Sequence, residues 1–368
     1  MAKVIIAGGG TGGHIFPAIA IGHALQRIEP GTELLFVGAK DKMEMEKIPQ
    51  EGFKITGLDI VGFNRNNLLK NITLPLKLLK SRLEAKRILN HFQPDVVVGV
   101  GGYASFPMLS AAQAKGIPTL IQEQNSYAGK SNKILGRKAQ TVCVAYEGME
   151  RFFPKEKITL TGNPVRHTIA ASTVTQKEGL DAFGLQAEKM TLLVVGGSLG
   201  ARSINEAIAL NLEAILQLDL QLIWQTGKLF YTTAMEKADG KPEVVVKDFI
   251  RNMEYAYAAA DIIVSRAGAM ASAELCIAGK PVIFVPYPYA AEDHQTSNAL
   301  ALVKHNAATM VKDVDVKTDL IKKIRIIAGD ENMRQIMAAD IQKFAIRDAD
   351  ERIAGKVLEL TEEPTYAN

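Results

Sequence analysis

A histidine directly after a run of glycines is the first group in this sequence that could do chemistry. Gly8, Gly10 and Gly13 have the spacing GxGxxG, and His14 follows them. Glycine lets a backbone approach a phosphate closely and adopt positive φ, and a helix starting there adds unpaired N–H donors. An imidazole, with a reference pKa of about 6.5, is a suitable general base near neutral pH. The pattern predicts an anion-binding loop with His14 as base, although a lone histidine near a helix start is more often only a polar surface residue.

The same loop is weak support for a pyridine nucleotide. A dinucleotide site also needs an acidic residue at the end of the second strand, where it binds ribose hydroxyls. The predicted second strand, 34–37, is followed by Gly38, Ala39 and Lys40. A dehydrogenase is therefore disfavoured.

A second candidate site lies in the segment SRAGAMASAELCIAGKPVIFVPYP, residues 265–288. We expect a strand to end near Ser265, a turn of small residues at 266–269, and a helix to about Ala278. Small residues at a helix start leave bare N–H groups for a diphosphate. One turn further, the Glu274 carboxylate can accept from both hydroxyls of a ribose. An isolated Glu usually lies on a solvated helix face, but the flanking turn favours the nucleotide interpretation.

A polar loop at 290–300 could complete a sugar site. Gln295 and Asn298 can hydrogen-bond sugar hydroxyls, although a surface helix cap explains this loop equally well. The remaining histidines lack metal-ligand spacing with one another, so we expect neither a metal nor another cofactor.

Alternating strands and helices must position these residues. Apolar runs that suit buried parallel strands occur in two series. The first series is 4–7, 34–37, 96–100, 119–122 and 141–144, and the second is 191–195, 220–224, 244–246, 261–264 and 282–285. The first strand of each series is followed by a glycine loop. The first of these loops leads into a helix predicted from about Pro17. A linker between the two series is expected within 163–189. The pattern predicts two α/β domains with doubly wound parallel sheets, facing across a cleft.

Composition limits the function classes. The chain has 368 residues, 47% of them hydrophobic and 23% charged, which suits two folded domains. Its two cysteines, Cys143 and Cys276, exclude a disulfide scaffold and favour a reducing cytoplasm. The long uncharged stretches are interrupted by glycines, so we expect no membrane span and no signal peptide, and a mature chain that starts where the sequence starts. A net charge of +3 is too small to suggest nucleic acid as a partner.

The basic residues are concentrated in one segment. Between positions 62 and 90 there are seven basic residues and one acidic residue. At helical spacing the apolar residues there form two opposite stripes. One stripe is Ile72, Leu76, Leu79 and Leu83, and the other is Leu78, Ala85, Ile88 and Leu89. One stripe should pack on the sheet, and the other, rimmed by residues such as Lys80 and Arg82, predicts docking on an anionic lipid surface. A helix buried on both sides or a partner interface is an equal alternative.

Seven motifs in order make the chain resemble the MurG family of bacterial peptidoglycan glycosyltransferases over nearly its whole length. They are AGGGTGGHIFPAIAI (7–21), GVGGYASFP (99–107), QEQNSYAGKSNK (122–133), GNPVR (162–166), GGSLGARSIN (196–205), SRAGAMASAEL (265–275) and DHQTSNA (293–299). The resemblance implies the GT-B fold, with two Rossmann-like domains at 1–164 and 165–340. It also implies that the last helix, within 341–368, packs back on the first domain.

The resemblance further implies the activity. The family transfers N-acetylglucosamine from UDP-GlcNAc to the C4 hydroxyl of lipid I with inversion, giving lipid II in peptidoglycan synthesis and cell wall biogenesis. It implies a peripheral enzyme at the cytoplasmic face of the bacterial inner membrane, with anionic membrane lipids and other cell-wall enzymes as partners. The alternatives are another UDP-sugar-dependent glycolipid transferase or epimerase of the same fold, or a non-catalytic nucleotide-sensing or scaffold protein.

Site residues follow from the resemblance position by position. The acceptor is expected near Tyr103 and Glu123, and the membrane patch at Ile72, Leu76 and Leu79. Some members have a histidine where this chain has Gln122, so His14 is the preferred base and Glu123 the second candidate. The implied donor contacts are Thr11, Gly12, Gly13, Asn125, Arg166 and Ser198, with Ile250 for uracil, Ala269, Met270, Ala271, Ser272 and Ala273 for the diphosphate, Glu274 for ribose and Gln295 for the sugar.

Overall fold

The computed structural model describes residues 1–60 and 74–362, with residues 74–79 and 291 described by their backbone alone. The chain divides into two compact units, Met1–Arg166 with Asp348–Asn368, and His167–Arg347. The domain boundaries at 164 and 340 stay a prediction from the sequence, because compactness by itself does not define a folding domain.

The first unit contains a parallel sheet of seven strands in the order β3-β2-β1-β4-β5-β6-β7. The strands are β1 (Lys3–Ala7), β2 (Glu33–Ala39), β3 (Ile55–Leu58), β4 (Val96–Gly99), β5 (Thr119–Glu123), β6 (Thr141–Val144) and β7 (Ile158–Leu160). The helices between them are α1 (Gly12–Ile28), α2 (Glu44–Gln50), α3 (Leu74–Phe92), α4 (Ser105–Ala114) and α5 (Lys130–Gly136). Separate clusters of buried apolar residues involve alternate residues of β1, as expected for a sheet covered on both faces.

The second unit repeats this plan with a parallel sheet of six strands, in the order β10-β9-β8-β11-β12-β13. The strands are β8 (Met190–Val195), β9 (Leu220–Gln225), β10 (Val244–Lys247), β11 (Ile262–Ser265), β12 (Val282–Phe284) and β13 (Thr309–Met310). The helices are α6 (His167–Ala170), α7 (Gln176–Phe183), α8 (Arg202–Leu216), α9 (Lys228–Ala238), α10 (Met253–Ala259), α11 (Ala269–Ala278), α12 (His294–Val303), α13 (Val316–Gly329) and α14 (Glu331–Gln342). The order of strands in both sheets is that of a doubly wound nucleotide-binding fold.

The last helix, α15 (Ala349–Glu362), belongs to the first unit. Its residues Ile353 and Val357 are buried in the same apolar cluster as Leu25 of α1. The Arg27 guanidinium also donates to the Asp350 carboxylate at 2.7 Å. These contacts attach the end of the chain to the unit that contains its beginning.

Two details of the predicted elements are wrong. Helix α1 begins at Gly12, not near Pro17, because Thr11 is the extended N-cap and Pro17 lies inside the helix. The strands β3, β7 and β13 were not predicted, since edge strands are only partly covered and lack a continuous apolar run. The α11 helix, predicted to run to about Ala278, ends there.

The described part of α3 separates its two stripes. Ala85 and Leu89 are buried in the first unit's core, whereas 51% of Leu83 is exposed. Lys80 and Arg82 are also exposed, and Lys80 donates to the Asp59 carboxylate at 2.6 Å. Ile72 and the side chains of Leu76 and Leu79 lie outside the described residues. None of the helices in the described ranges is long and apolar enough to cross a bilayer.

Candidate functional site

The first glycine loop joins the carboxyl end of β1 to α1. Gly9 and Gly10 have φ values of +140° and +86°, which favour glycine because a Cβ is strained there. A second glycine loop after β4 lies against it. A Cβ placed on Gly102 would come within 2.8 Å of the Gly9 backbone nitrogen, so the two loops are in direct backbone contact.

His14 lies in the first turn of α1, beside both loops. Its Nδ1 shares a hydrogen bond of 3.2 Å with the Thr11 hydroxyl. A Cβ on Gly101 would lie 2.7 Å from Cδ2 and 2.8 Å from Nε2 of His14, so the far edge of the ring faces Gly101. When Nδ1 carries the proton and donates to Thr11, Nε2 keeps a lone pair and can accept a proton.

Tyr103 belongs to the same group. A Cβ on Gly10 would lie 3.5 Å from the Tyr103 ring. Tyr103 is 46% exposed. Thr11, Gly12 and Gly13 follow Gly10 directly, so the structure brings these predicted residues together with His14 and Tyr103.

Glu44 is a residue of this site that the sequence did not reveal. It opens α2, is completely buried, and accepts from the Gly10 backbone N–H at 2.9 Å. Its other oxygen accepts from the Ala39 N–H at 3.0 Å. The predicted second strand is followed by Gly38, Ala39 and Lys40, and Glu44 comes four residues after Lys40, too late to be recognised as the acidic residue at the strand's end.

Glu123, the second candidate base, lies at the carboxyl end of β5 and is only 2% exposed. Its carboxylate accepts from the backbone N–H of Asn125 and Gly129 at 3.1 Å each, and from the Asn132 amide at 2.8 Å. Burial raises the pKa of Glu123, and the hydrogen bonds from Asn132, Asn125 and Gly129 oppose that rise. Because Glu123 is buried and both of its oxygens already accept hydrogen bonds, it is better suited to hold the 125–132 segment in place than to take a proton from a substrate. Asn125, a predicted donor contact, also donates from its side chain to Glu123 at 3.3 Å.

Gln122 is part of a buried amide network below this segment. Its amide donates to Asn163 at 3.0 Å, and Asn163 donates to the Gln124 carbonyl at 2.9 Å. Gln124 in turn donates to the Val100 carbonyl at 2.8 Å. The network therefore links the end of β5 to the glycine loop after β4.

In the second unit, Gln225 at the end of β9 connects the loop that contains Ser198 with Ile250, and both of these residues are predicted donor contacts. Its amide nitrogen donates to the Gly197 carbonyl at 3.1 Å, and its amide oxygen accepts from the Ile250 N–H at 2.9 Å. Ser198, next to Gly197, is exposed. A cavity of about 280 Å³ adjoins Ile250, with Phe183, Phe249 and Tyr255 among its lining residues. The sequence did not single out Gln225, because nothing in its spacing marks it.

Helix α11 begins at the carboxyl end of β11 with Gly268 as an extended N-cap. Its first turn presents small residues, which leave the backbone N–H groups accessible to an anion. Ser272 in this turn is buried, and its hydroxyl has no hydrogen-bond partner among the described residues. The predicted diphosphate contacts in this helix are Ala269, Met270, Ala271, Ser272 and Ala273.

Glu274 is held by a neighbouring helix. The Tyr257 hydroxyl of α10 donates to the Glu274 carboxylate at 2.9 Å, and Tyr257 is only 6% exposed. Gln295, at the start of α12, accepts from the Tyr287 N–H at 2.9 Å. Arg166, another predicted contact, is the last residue of the first unit's main segment and is partly buried.

The described ranges contain no group of three or more His, Cys, Asp or Glu residues able to hold a metal ion.

Comparisons with known proteins match both halves of the chain. The model of the glycosyltransferase family 28 N-terminal domain matches residues 4–144, and that of the family 28 C-terminal domain matches residues 191–353. A UDP-N-acetylglucosamine–N-acetylmuramyl-(pentapeptide) pyrophosphoryl-undecaprenol N-acetylglucosamine transferase of Parabacteroides distasonis is 49% identical, over 97% of this chain and 98% of its own. The protein of the same name from Phocaeicola vulgatus is 50% identical, over 98% of this chain and 96% of its own. The crystal structure of Acinetobacter baumannii MurG matches with a TM-score of 0.81 at 30% identity, covering 98% of this chain and 100% of that one.

Proposed function

Because the chain belongs to glycosyltransferase family 28, we propose that it transfers N-acetylglucosamine from UDP-GlcNAc to the C4 hydroxyl of lipid I and so makes lipid II. One structural observation supports this above the others. Ser198, Ile250 and Glu274, the expected donor contacts, follow the carboxyl ends of three strands of one sheet, β8, β10 and β11. Nucleotides bind at this edge of doubly wound sheets. In this proposal the acceptor binds to the first domain, which ends at 164, and the second domain provides most of the donor contacts.

The reaction is a single displacement that inverts the anomeric carbon. The C4 oxygen of the acceptor forms a bond to this carbon, and the bond from the carbon to the UDP oxygen breaks. The hydroxyl proton passes to Nε2 of His14, and the electron pair of the broken bond stays on UDP. His14 suits this role because it is partly exposed, and Thr11 fixes its Nδ1 edge.

The departing UDP carries the developing charge. Backbone N–H groups at the start of α11 and in the loop 196–200 stabilise that charge, because such dipoles are already oriented before the reaction. Glu274 accepts from the ribose hydroxyls, Gln295 contacts the sugar, and Arg166 and Asn125 add polar contacts to the donor. In this scheme Glu123 holds the 125–132 segment in place through its bonds to Asn125, Gly129 and Asn132.

We also place the enzyme peripherally at the cytoplasmic face of the inner membrane. The exposed cations of α3, including Arg82, Lys86 and Arg87, suit anionic lipids, while the apolar half of the patch falls on Ile72, Leu76 and Leu79. Co-sedimentation with phosphatidylglycerol vesicles should weaken several-fold in an Arg82→Glu, Lys86→Glu double variant. Lys138→Glu, an exposed lysine outside α3, should leave binding unchanged. Equal binding of the double variant and the wild type would contradict this placement.

Product analysis tests the activity directly. Radiolabelled UDP-GlcNAc and a lipid I analogue should give a β-1,4-linked disaccharide lipid and one UDP per transfer. In His14→Ala, kcat should fall by about 10²- to 10⁴-fold, as expected for loss of a general base, with little change in donor affinity. Unchanged turnover would remove His14 from this role.

The alternatives give different results in the same assay. Transfer to another glycolipid, with none to the lipid I analogue, would indicate a different glycolipid transferase. Binding of UDP-GlcNAc, seen as a raised melting temperature, without turnover on any acceptor would indicate a nucleotide sensor or scaffold. Both results would refute the proposed reaction.

A further inference from the structure

We propose that Glu44 is a positioning residue for the transfer: its buried carboxylate fixes the first glycine loop, and through that loop it fixes His14. This inference rests on the proposed function, because it assigns Glu44 a part in that reaction. Glu44 does not touch the reacting atoms, so its effect must pass through the backbone of the loop.

The contacts of Glu44 are with backbone on both sides. One carboxylate oxygen accepts from the Gly10 N–H at 2.9 Å, and the other accepts from the Ala39 N–H at 3.0 Å. Gly10 precedes the N-cap of α1 by one residue, and His14 lies in the first turn of that helix. The carboxylate thus ties the loop after β1 to the end of β2.

The loop is shaped around this carboxylate. A Cβ on Gly9 would clash with Oε1 of Glu44, and a Cβ on Gly38 would lie 2.5 Å from its Cγ. Both glycines are therefore needed to make room for Glu44. A side chain that only filled space would not require the backbone to approach it so closely on two sides.

The charge of Glu44 also calls for an explanation. The residue is 0% exposed, and it forms no ion pair within the described part of the chain. Burying a carboxylate is unfavourable unless strong hydrogen bonds satisfy it, and N–H bonds to a carboxylate are about twice as strong as neutral ones. Leu or Met would fill the same space without this penalty. A buried carboxylate at this position is explained if its hydrogen bonds to the Gly10 and Ala39 N–H groups are needed to hold the loop.

The bond from the Gly10 N–H to Glu44 determines what this N–H of the first loop can bind. In a dinucleotide-binding loop, backbone N–H groups of this kind face a phosphate. Here a side chain of the protein itself occupies the Gly10 N–H. In our scheme the second unit binds the nucleotide, and the expected donor contacts Thr11, Gly12 and Gly13 follow Gly10 at the start of α1. A change at Glu44 should therefore affect the chemical step more than nucleotide binding.

The Glu44→Gln variant tests this with almost unchanged side-chain volume. Its amide has one acceptor oxygen and presents a donor NH₂ to the other backbone N–H, so one of the two bonds must be lost. We expect kcat to fall at least about tenfold, with the KM for UDP-GlcNAc within about twofold of wild type. Glu46→Gln, an exposed carboxylate of the same helix, is the matched control and should leave both constants unchanged. Unchanged kcat in Glu44→Gln, or a raised donor KM alone, would overturn the proposal.

A measurement without turnover keeps the test independent of activity. In wild type, the Gly10 and Ala39 amides should exchange their hydrogens slowly. In Glu44→Gln, at least one of them should exchange about tenfold faster or more, as expected for a lost bond to a charged group. If the variant does not fold, the wild type alone decides: fast exchange at Gly10 would refute the contact, and slow exchange would support it. Failure of the wild type to make the disaccharide lipid would instead refute the proposed function, and the exchange data would still judge the contact.

Discussion

Replacing Gly101 with alanine should displace His14 without changing it. A Cβ on Gly101 would lie 2.7 Å from Cδ2 of the His14 ring, whereas ordinary contacts begin at 3.4 Å. The ring must therefore retreat by about 0.7 Å, the difference between these two distances. A displacement of about 1 Å in a reacting group can reduce the rate about a hundredfold, so we expect kcat to fall about tenfold to a hundredfold.

The same substitution also strains the backbone. Gly101 has φ of +88°, where an L-residue is disfavoured by about 1–2 kcal/mol, and the free energy of unfolding should drop by at least that amount. Gly52→Ala separates this strain from the displacement. Gly52 has φ of +84°, and no atom of the described residues lies within 4 Å of its added Cβ. It should lose similar stability in urea unfolding but keep wild-type kcat.

Initial-rate measurements with saturating UDP-GlcNAc and a lipid I analogue compare the two variants. A Gly101→Ala enzyme that is as fast as Gly52→Ala would refute the reasoning, because it would mean that the position of the His14 ring does not matter to the rate. A fall in both variants to the same extent would likewise assign the effect to stability rather than to the imidazole.

Three further predictions follow from single contacts. Tyr257→Phe removes the hydroxyl that donates to Glu274, so the KM for UDP-GlcNAc should rise about five- to tenfold with kcat nearly unchanged; an unaltered KM in initial-rate assays would contradict this. Burial raises the pKa of Glu123 from its usual 4.5, so the folded state binds this proton more tightly than the unfolded state. The stability of wild type relative to Glu123→Gln should therefore fall as pH rises from about 4.5 through the folded pKa, and a pH-independent difference in urea unfolding would argue against the shift. Burial also raises the pKa of Cys143 and Cys276 from 9.0 to about 12, which lowers the thiolate fraction near pH 8 about a thousandfold. Both thiols should react with a disulfide reagent only after unfolding, and rapid labelling of the native protein would show that they are accessible.

The sequence predicts best where one local pattern determines the structure. The continuous apolar runs of the central strands β1, β4, β8 and β11 identify a parallel sheet because such strands are covered on both faces. The start of α11 is equally local, since small residues directly follow a strand. The resemblance to the MurG family, first indicated by seven motifs, is confirmed by the relatives at 49% and 50% identity and by the matched domains.

Contacts that depend on tertiary structure were beyond such patterns. Glu44 reaches an N–H group 34 positions earlier in the chain, and Gln225 accepts from one 25 positions later. Neither residue has a spacing that marks it. The start of α1 was misplaced for a related reason: two glycines and an internal proline disfavour a helix locally, but burial of Ile15, Ala18 and Ile19 against the sheet overrides this.

The glycine loops after β1 and after β8 also differ in a way that favours the second unit as the nucleotide-binding unit. In the first loop, a buried carboxylate of the protein occupies the Gly10 N–H. In the loop after β8, the Gly197 carbonyl accepts from the Gln225 amide and from the Gly200 N–H, and no carboxylate among the described residues accepts from this loop. Added Cβ atoms at Gly197 and Gly268 would meet nothing within 4 Å in the described part of the structure, so there is room beside both backbones. A phosphate needs uncommitted N–H groups and close approach to the chain. On this argument we expect the loop after β8, rather than the loop after β1, to bind the phosphates, because a carboxylate of the protein already occupies the loop after β1.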